Sequence, residues 1–303
     1  MAPTNATRVL RLVERVKALT EPLYPKPTTL PPKLLPLAGI KAVLFDIYGT
    51  LFLSGSGDIG IGNSEADERA LRAALSQVGL HTEAMGSTIR GTEFIARAIH
   101  HAHAQRRAEG IEYPEVDILA IWQRLLRQLP ENVMTVDVTE DQLRVLALEY
   151  ECRVNPVWPM PGLEQILSRL YEKRLVLGLV SNAQFYTPLL FEAFLDATPQ
   201  VLGFDALCCA FSYQILEAKP STRLFRKALE GLELKYGITA QEVLYVGNDR
   251  LKDIWPAQRL GCRTALFAGD MRSLRLREDD ERCNTVNPDV VIKDLRQLVS
   301  VLS

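Results

Sequence analysis

Four places in the 303-residue chain put reactive residue types where a fold could present them. Asp46 closes the short apolar run Ala42–Phe45, and Ser181 with Asn182 follows the run Leu175–Val180. Gly247-Asn248-Asp249 follows Val243–Val246, with Asp253 four residues further on. Lys219, in Lys219-Pro220, opens the helical stretch that precedes that last run. The set supplies one carboxylate nucleophile candidate, one hydroxyl, one lysine and one acidic cluster. A carboxylate can attack as an oxygen nucleophile and form a covalent intermediate. Each residue alone has a plainer reading: Asp46 as a turn residue, Ser181 as a helix cap, Lys219 as a surface charge. Their order at successive strand ends is what points to a site.

The elements that must position them alternate. Apolar runs without polar alternation recur at Ala206–Phe211, Thr264–Ala268 and Val290–Ile292, as suits strands buried on both faces. Helical patterns at Leu163–Leu170, Pro188–Leu195 and Ser221–Leu232 lie between them. This predicts an α/β fold, a Rossmann-like parallel sheet with helices on both faces, in which ligands sit beyond the carboxyl ends of the strands. Residues 62–155 break the alternation and read as consecutive helices near Ser64–Val78, Ser87–Arg107, Val116–Arg127 and Glu140–Tyr150. They form an all-helical cap domain inserted into an α/β core of residues 41–61 and 156–303. Residues 1–40 comprise an amphipathic helix near 5–19, expected to dock on its own chain, and a proline-rich extended tether. A targeting or membrane-surface role is the alternative for that helix.

The four motifs in order resemble the haloacid dehalogenase superfamily, which consists mostly of phosphohydrolases with a few carbon–halogen hydrolases. The likeness covers nearly the whole chain from Lys41. The first motif is Asp46-Ile47-Tyr48-Gly49-Thr50, the second Ser181, the third Lys219-Pro220, and the fourth Gly247-Asn248-Asp249 with Asp253. The resemblance implies that Asp46 is the nucleophile and that Ser181, Asn182 and Lys219 hold the transferring group. Thr50 would steady the turn around Asp46, Tyr48 would occupy the acid–base position, and Asp253 would orient Lys219 or water. It also implies a Mg²⁺ cofactor held by Asp46, the main-chain carbonyl of Tyr48, Asn248 and Asp249.

Two departures keep alternatives open. Tyr48 stands where the phosphohydrolases carry a second Asp, their general acid and base. A phenol, with a pKa of about 10, is a poor replacement base at neutral pH. Asp-x-Tyr-Gly-Thr resembles the metal-independent 2-haloacid dehalogenases instead. The second departure is Asn248, at the usual first acidic place of the fourth motif, although Asp249 follows it. The dehalogenases have lost acidic residues there and tend to carry a Tyr six residues after the lysine, where this chain has Phe225. The leading expectation is a Mg²⁺-dependent phosphatase of a small phosphorylated metabolite. The rivals are a 2-haloacid dehalogenase-type hydrolase and a non-catalytic binder of a phosphorylated ligand or partner protein.

Composition narrows the classes further. With 47% hydrophobic residues, 24% charged residues and a net charge of −2, nothing favours nucleic acid or an anionic membrane. Five Cys without a C-x-x-C pair suggest free thiols in a reducing compartment, and a cytoplasmic protein is expected, with neither a secretory signal nor a membrane span. His100, His101 and His103 read as a solvated helix face, because no nearby carboxylate completes a metal site. Arg272, Arg275 and Arg277, followed by four acidic residues, read as a charge-patterned surface, with anion binding a minority option. Arg90 is a further candidate for meeting an anionic substrate.

Overall fold

The computed structural model describes residues 4–55, 65–80, 91–129, 133 and 137–302. Arg90 lies outside them. Six strands form one parallel sheet: β1 (Ala42–Phe45), β4 (Val176–Ser181), β5 (Phe204–Phe211), β6 (Val243–Gly247), β7 (Arg263–Phe267) and β8 (Val290–Ile292), in the order β5-β4-β1-β6-β7-β8. All four residues of β1 are buried, which is why its sequence does not alternate. Parallel pairing needs a crossover between neighbours. The crossovers up to β7 are helical, through α6 (Leu163–Glu172), α7 (Leu189–Leu195), α8 (Ser212–Ile215), α9 (Arg223–Tyr236) and α10 (Trp255–Arg259). From β7 the chain reaches β8 by a loop carrying the 3₁₀ turn Glu281–Cys283, and α11 (Leu298–Val301) closes the chain.

The register places the candidate residues side by side. Phe45 lies opposite Leu179 of β4 and Val246 of β6, so all three strands end at one edge of the sheet. Asp46, Ser181 and the 247–249 turn emerge there together.

Between the first and second core strands lie α2 (Glu65–Gln77), α3 (Gly91–Ala108), α4 (Ile118–Leu126) and α5 (Glu140–Val154). Their starts match local chemistry: Thr139 and Gln142 form a reciprocal capping box on α5, and Asp117 caps α4. Trp122 of α4 packs edge-on against Tyr150 of α5, 5.3 Å between ring centres, in the core of this block. The sequence pattern did not reveal the ribbon where the chain leaves and re-enters the core. There β2 (Phe52–Ser54) pairs antiparallel with β3 (Val157–Pro159). Three residues per strand are too few to show a period.

The helix α1 (Asn5–Leu19) docks on the chain itself, with Leu12, Val13 and Val16 buried against α5 and α7. Arg15 pairs with the fully buried Glu149 of α5, Arg8 with Asp141 and Lys17 with Asp196. The proline-rich stretch after it is extended, as expected, but it is not a loose tether. Lys33 exchanges main-chain hydrogen bonds with Val291 of β8, and the Thr28 hydroxyl donates to Ala268 O at 2.6 Å. The segment therefore covers a sheet edge that would otherwise be open. No described helix is long and apolar enough to cross a membrane.

Candidate active site

Asp46 is anchored by its own main chain, its N–H donating to Val246 O at 2.9 Å across from β6. The chain then turns sharply. Ile47 O accepts from the N–H groups of Thr50, Leu51 and Phe52, and Gly49 sits at φ +79°. That angle favours glycine, and a Cβ there would collide with the Asn248 amide and lie 2.5 Å from Ser273 Cβ. The tightness of the turn is what brings Thr50 back under Asp46.

Asp46 Oδ1 accepts from Ser181 Oγ at 2.9 Å and from Lys219 Nζ at 2.6 Å. Its Oδ2 has one long contact, from Thr50 Oγ1 at 3.4 Å, and the same hydroxyl lies 3.4 Å from Asn248 Oδ1. Oδ2 is thus the less committed oxygen of a buried carboxylate. Asn182 accepts the Lys219 main-chain N–H through Oδ1 at 2.7 Å, fixing the loop that delivers the lysine.

Lys219 is the electrostatic hub. It is 5% exposed, so burial would lower its pKa, but the Asp253 and Asp46 carboxylates more than offset this and raise it. Nζ bonds Asp253 Oδ1 at 2.6 Å and Tyr245 OH at 3.3 Å as well as Asp46. Burial pushes Asp253 upward from the usual carboxylate range while Lys219 opposes the shift. Asp253 Oδ2 accepts the Asp249 N–H at 2.9 Å, which locks the fourth motif to the lysine. Tyr245 was not a sequence candidate. Its hydroxyl donates to Val180 O at 2.9 Å and lies 3.0 Å from Asp253 Oδ1, and the only signal was a phenol inside an otherwise apolar strand.

Tyr48 points elsewhere. Its hydroxyl lies 3.0 Å from Thr187 Oγ1, and burial, then the Glu151 carboxyl, push its pKa well above the ordinary phenol value. A phenol so held stays protonated at neutral pH and does not serve as a base. Glu151 of α5 is itself raised by burial and accepts from Asn155 Nδ2 at 3.1 Å.

The expected metal ligand Asp249 is hydrogen-bonded through both carboxylate oxygens. Oδ1 accepts from the N–H groups of Leu251 and Lys252, capping the π-helical turn Arg250–Ile254, and Oδ2 takes Arg277 at 2.6 Å. Both oxygens are committed. Arg277 is therefore not a surface charge, and neither is Arg272, which pairs with buried Asp270 at 3.1 Å. Arg275 bonds main-chain carbonyls. Asn248 donates through Nδ2 to Ser273 O at 2.6 Å, leaving Oδ1 turned toward Thr50. Among the described residues no group of three or more His, Cys, Asp or Glu side chains is placed to hold a metal. What remains is one carboxylate, one amide oxygen and the Tyr48 carbonyl. Mg²⁺ commonly takes one or two carboxylates and fills its octahedron with water and phosphate oxygens, so this reduced set suits it only with substrate present.

A cavity of about 390 Å³ opens between the helical block and the sheet edge, reached by Lys219 and Asn182. Its floor is apolar, from Ile95 and Ile99 of α3, Trp122 of α4 and Ala147 of α5. His103 also lines it, whereas His100 and His101 are exposed, so one of the three departs from the expected solvated face. The segment carrying Tyr113 and Glu115 is pinned beside Lys219. Ala218 N–H donates to Tyr113 O at 2.7 Å and Glu115 N–H to Leu216 O at 3.1 Å.

With this geometry in hand, comparison with known proteins adds four likenesses. The family model for haloacid dehalogenase-like hydrolases matches residues 40–261. The human phospholysine phosphohistidine inorganic pyrophosphate phosphatase is 25% identical over 283 residues, covering 88% of this chain and 95% of that protein. Among solved structures, a 2-haloacid dehalogenase from Pseudomonas syringae pv. Tomato DC3000 superposes with a TM-score of 0.55 at 22% identity, covering 86% of this chain and 97% of that one. The HAD phosphatase from Thermococcus onnurineus gives 0.50 at 18% identity, covering 86% and 96%. The two structural likenesses speak for the fold alone.

Proposed function

The chain belongs to the haloacid dehalogenase-like hydrolases, and from that premise we propose that it is a phosphatase of a small phosphorylated metabolite. Asp46 attacks phosphorus and carries the phosphoryl group as an aspartyl phosphate, which water then cleaves at phosphorus. The observation that supports this is the asymmetric grip on Asp46. Lys219 and Ser181 share Oδ1, while Oδ2 and the Asn248 amide oxygen flank one hydroxyl, Thr50. Lys219 and Ser181 also stand where they can hold phosphoryl oxygens, and preorganised donors of this kind supply transition-state stabilisation. Asp46, Asn248 and the Tyr48 carbonyl would hold Mg²⁺, which neutralises phosphate charge as the two anions meet. The human relative's name as a phosphatase agrees with this reading. The helical block of α2–α5 serves as a cap that excludes water and selects substrate.

Because Tyr48 supplies no carboxylic acid, the leaving group departs without an efficient proton donor. Substrates with good leaving groups are therefore favoured, and Tyr48→Asp raises the rate on poor ones. A second reading, displacement at carbon without metal, draws support from Tyr48 and from the commitment of Asp249 to Arg277. A panel of phosphoesters and short haloacids, with Mg²⁺ or EDTA, separates the two on wild type and Asp46→Asn. Phosphatase turnover that survives EDTA or Asp46→Asn overturns the first reading, and halide release without metal establishes the second. Heavy-oxygen water under single turnover adds a chemical criterion. An aspartyl phosphate places the label in phosphate, whereas an aspartyl ester places it in Asp46.

A further inference from the structure

The cavity beside Lys219 holds more polar groups than phosphoryl transfer uses. Along α3, Ile95, Ile99, His103 and Arg107 recur every fourth residue, so they form one stripe along the cavity wall. The first two give it an apolar floor and the last two a polar rim. Arg107 forms no ion pair with any described residue, unlike Arg106 beside it, which pairs with Glu109 at 3.0 Å. His103 Nε2 is buried and has no hydrogen-bond partner among the described residues. Burial, then the neighbouring Arg107 and His100 charges, lower the His103 pKa.

The two carboxyl groups on the wall are already engaged. Glu115 Oε2 accepts from Ser212 Oγ at 2.8 Å and its Oε1 from the Val116 N–H at 2.9 Å. Glu151 accepts from Asn155, and its burial favours the neutral form. The guanidinium at the rim thus has no carboxylate partner among the described residues, and an arginine is suited to bidentate capture of a carboxylate or phosphate.

Resting on the phosphatase reading for what happens at Asp46, we propose that this cavity takes a phosphorylated compound whose leaving group has an apolar body and a second anionic group, bound by Arg107 with His103 beside it. The site would discriminate by charge: a neutral leaving group leaves Arg107 unused, and a cationic one is repelled by Arg107.

The test uses three aryl phosphates on the full chain: phenyl phosphate, 4-carboxyphenyl phosphate and 4-(aminomethyl)phenyl phosphate. A charge-assisted contact of this kind is worth roughly tenfold to a hundredfold. The carboxylated substrate is therefore expected to exceed phenyl phosphate in kcat/KM by at least about tenfold, carried mainly by KM. Arg107→Met should bring the ratio to about one while leaving phenyl phosphate within about twofold, and Arg107→Lys should restore part of it. The same three compounds are titrated against Asp46→Asn by calorimetry, so that binding is read independently of turnover. Tighter, Arg107-dependent binding of the carboxylated compound without turnover of any phosphate sustains the anion site and overturns the phosphatase reading. Equal treatment of the carboxylated and phenyl compounds, binding of neither, preference for the aminomethyl compound, or an equal loss on both substrates in Arg107→Met overturns the anion site.

Discussion

Removing the Lys219 ammonium by Lys219→Met leaves Asp46 and Asp253 buried at 5% and 1% exposure, each having lost a 2.6 Å partner. Breaking a buried ion pair by deleting one partner costs about 3–5 kcal/mol, and that is the expected loss near pH 8. The buried carboxylates can escape part of it by taking up a proton. A carboxyl has an unfolded pKa of about 3.9, and each pH unit above that costs about 1.36 kcal/mol to keep it protonated. One such proton therefore limits the loss to about 1.5 kcal/mol near pH 5. The folded mutant binds more protons than its unfolded chain between these pH values, so its stability falls as pH rises. Wild type shows a smaller slope from this site. Burial raises Asp253 to about 6, so its folded form also binds more protons between the ordinary carboxylate range and that value. The raised pKa of Lys219 keeps the lysine's contribution intact at every pH below the ordinary lysine value. Urea unfolding of wild type, Lys219→Met and Lys219→Met/Asp253→Asn near pH 5 and pH 8 measures all of this. The double variant should recover most of the loss at pH 8. A loss under about 1 kcal/mol at pH 8, a loss independent of pH, or no recovery on removing Asp253 would refute the hub assigned to Lys219.

Other consequences are as concrete. Asn248→Ala should raise the half-saturating Mg²⁺ concentration for phosphatase activity by at least about tenfold, whereas Asp249→Asn should change it by no more than about twofold. Magnesium titrations in which Asp249→Asn is the more damaging would reverse the assignment. Gly49→Ala, at φ +79° and against Asn248 and Ser273, should cost about 1–3 kcal/mol in urea melts and abolish most activity. Arg15→Ala leaves Glu149, which has no exposed side-chain surface, with Arg153 at 2.9 Å as its remaining ion partner. We expect a loss of about 1–3 kcal/mol and faster amide exchange in α1 and α5, and unchanged exchange there would show that α1 does not brace the cap. Across aryl and alkyl phosphates the rate should fall steeply with leaving-group pKa, and Tyr48→Asp should flatten that slope if the missing acid is what limits the poor leaving groups.

The parallel sheet and the convergence of Asp46, Ser181 and Lys219 could be read from the sequence because each follows from a local pattern. A short unalternating apolar run marks a doubly buried strand, and the residue after it marks the ligand edge. What the pattern could not carry were pairings between distant segments. Asp249 and Arg277 are 28 residues apart, and nothing local reveals that the arginine consumes a carboxylate expected at a metal. Tyr245 looks like a core aromatic until its hydroxyl is seen on Asp253, and His103 differs from His101 only in which face of α3 it occupies. The proline-rich segment reads as extended, but its hydrogen bonds to Val291 and Ala268 depend on where the sheet edge lies.

The most direct test of the central claim is a rapid acid quench during turnover of a phosphoester, followed by peptide mass analysis across the segment Ala42–Leu51. The account predicts one phosphoryl group on Asp46, transient in wild type and absent from Asp46→Asn. A phosphoryl group on another residue, or steady phosphate release with Asp46 unmodified at every quench time, would contradict it.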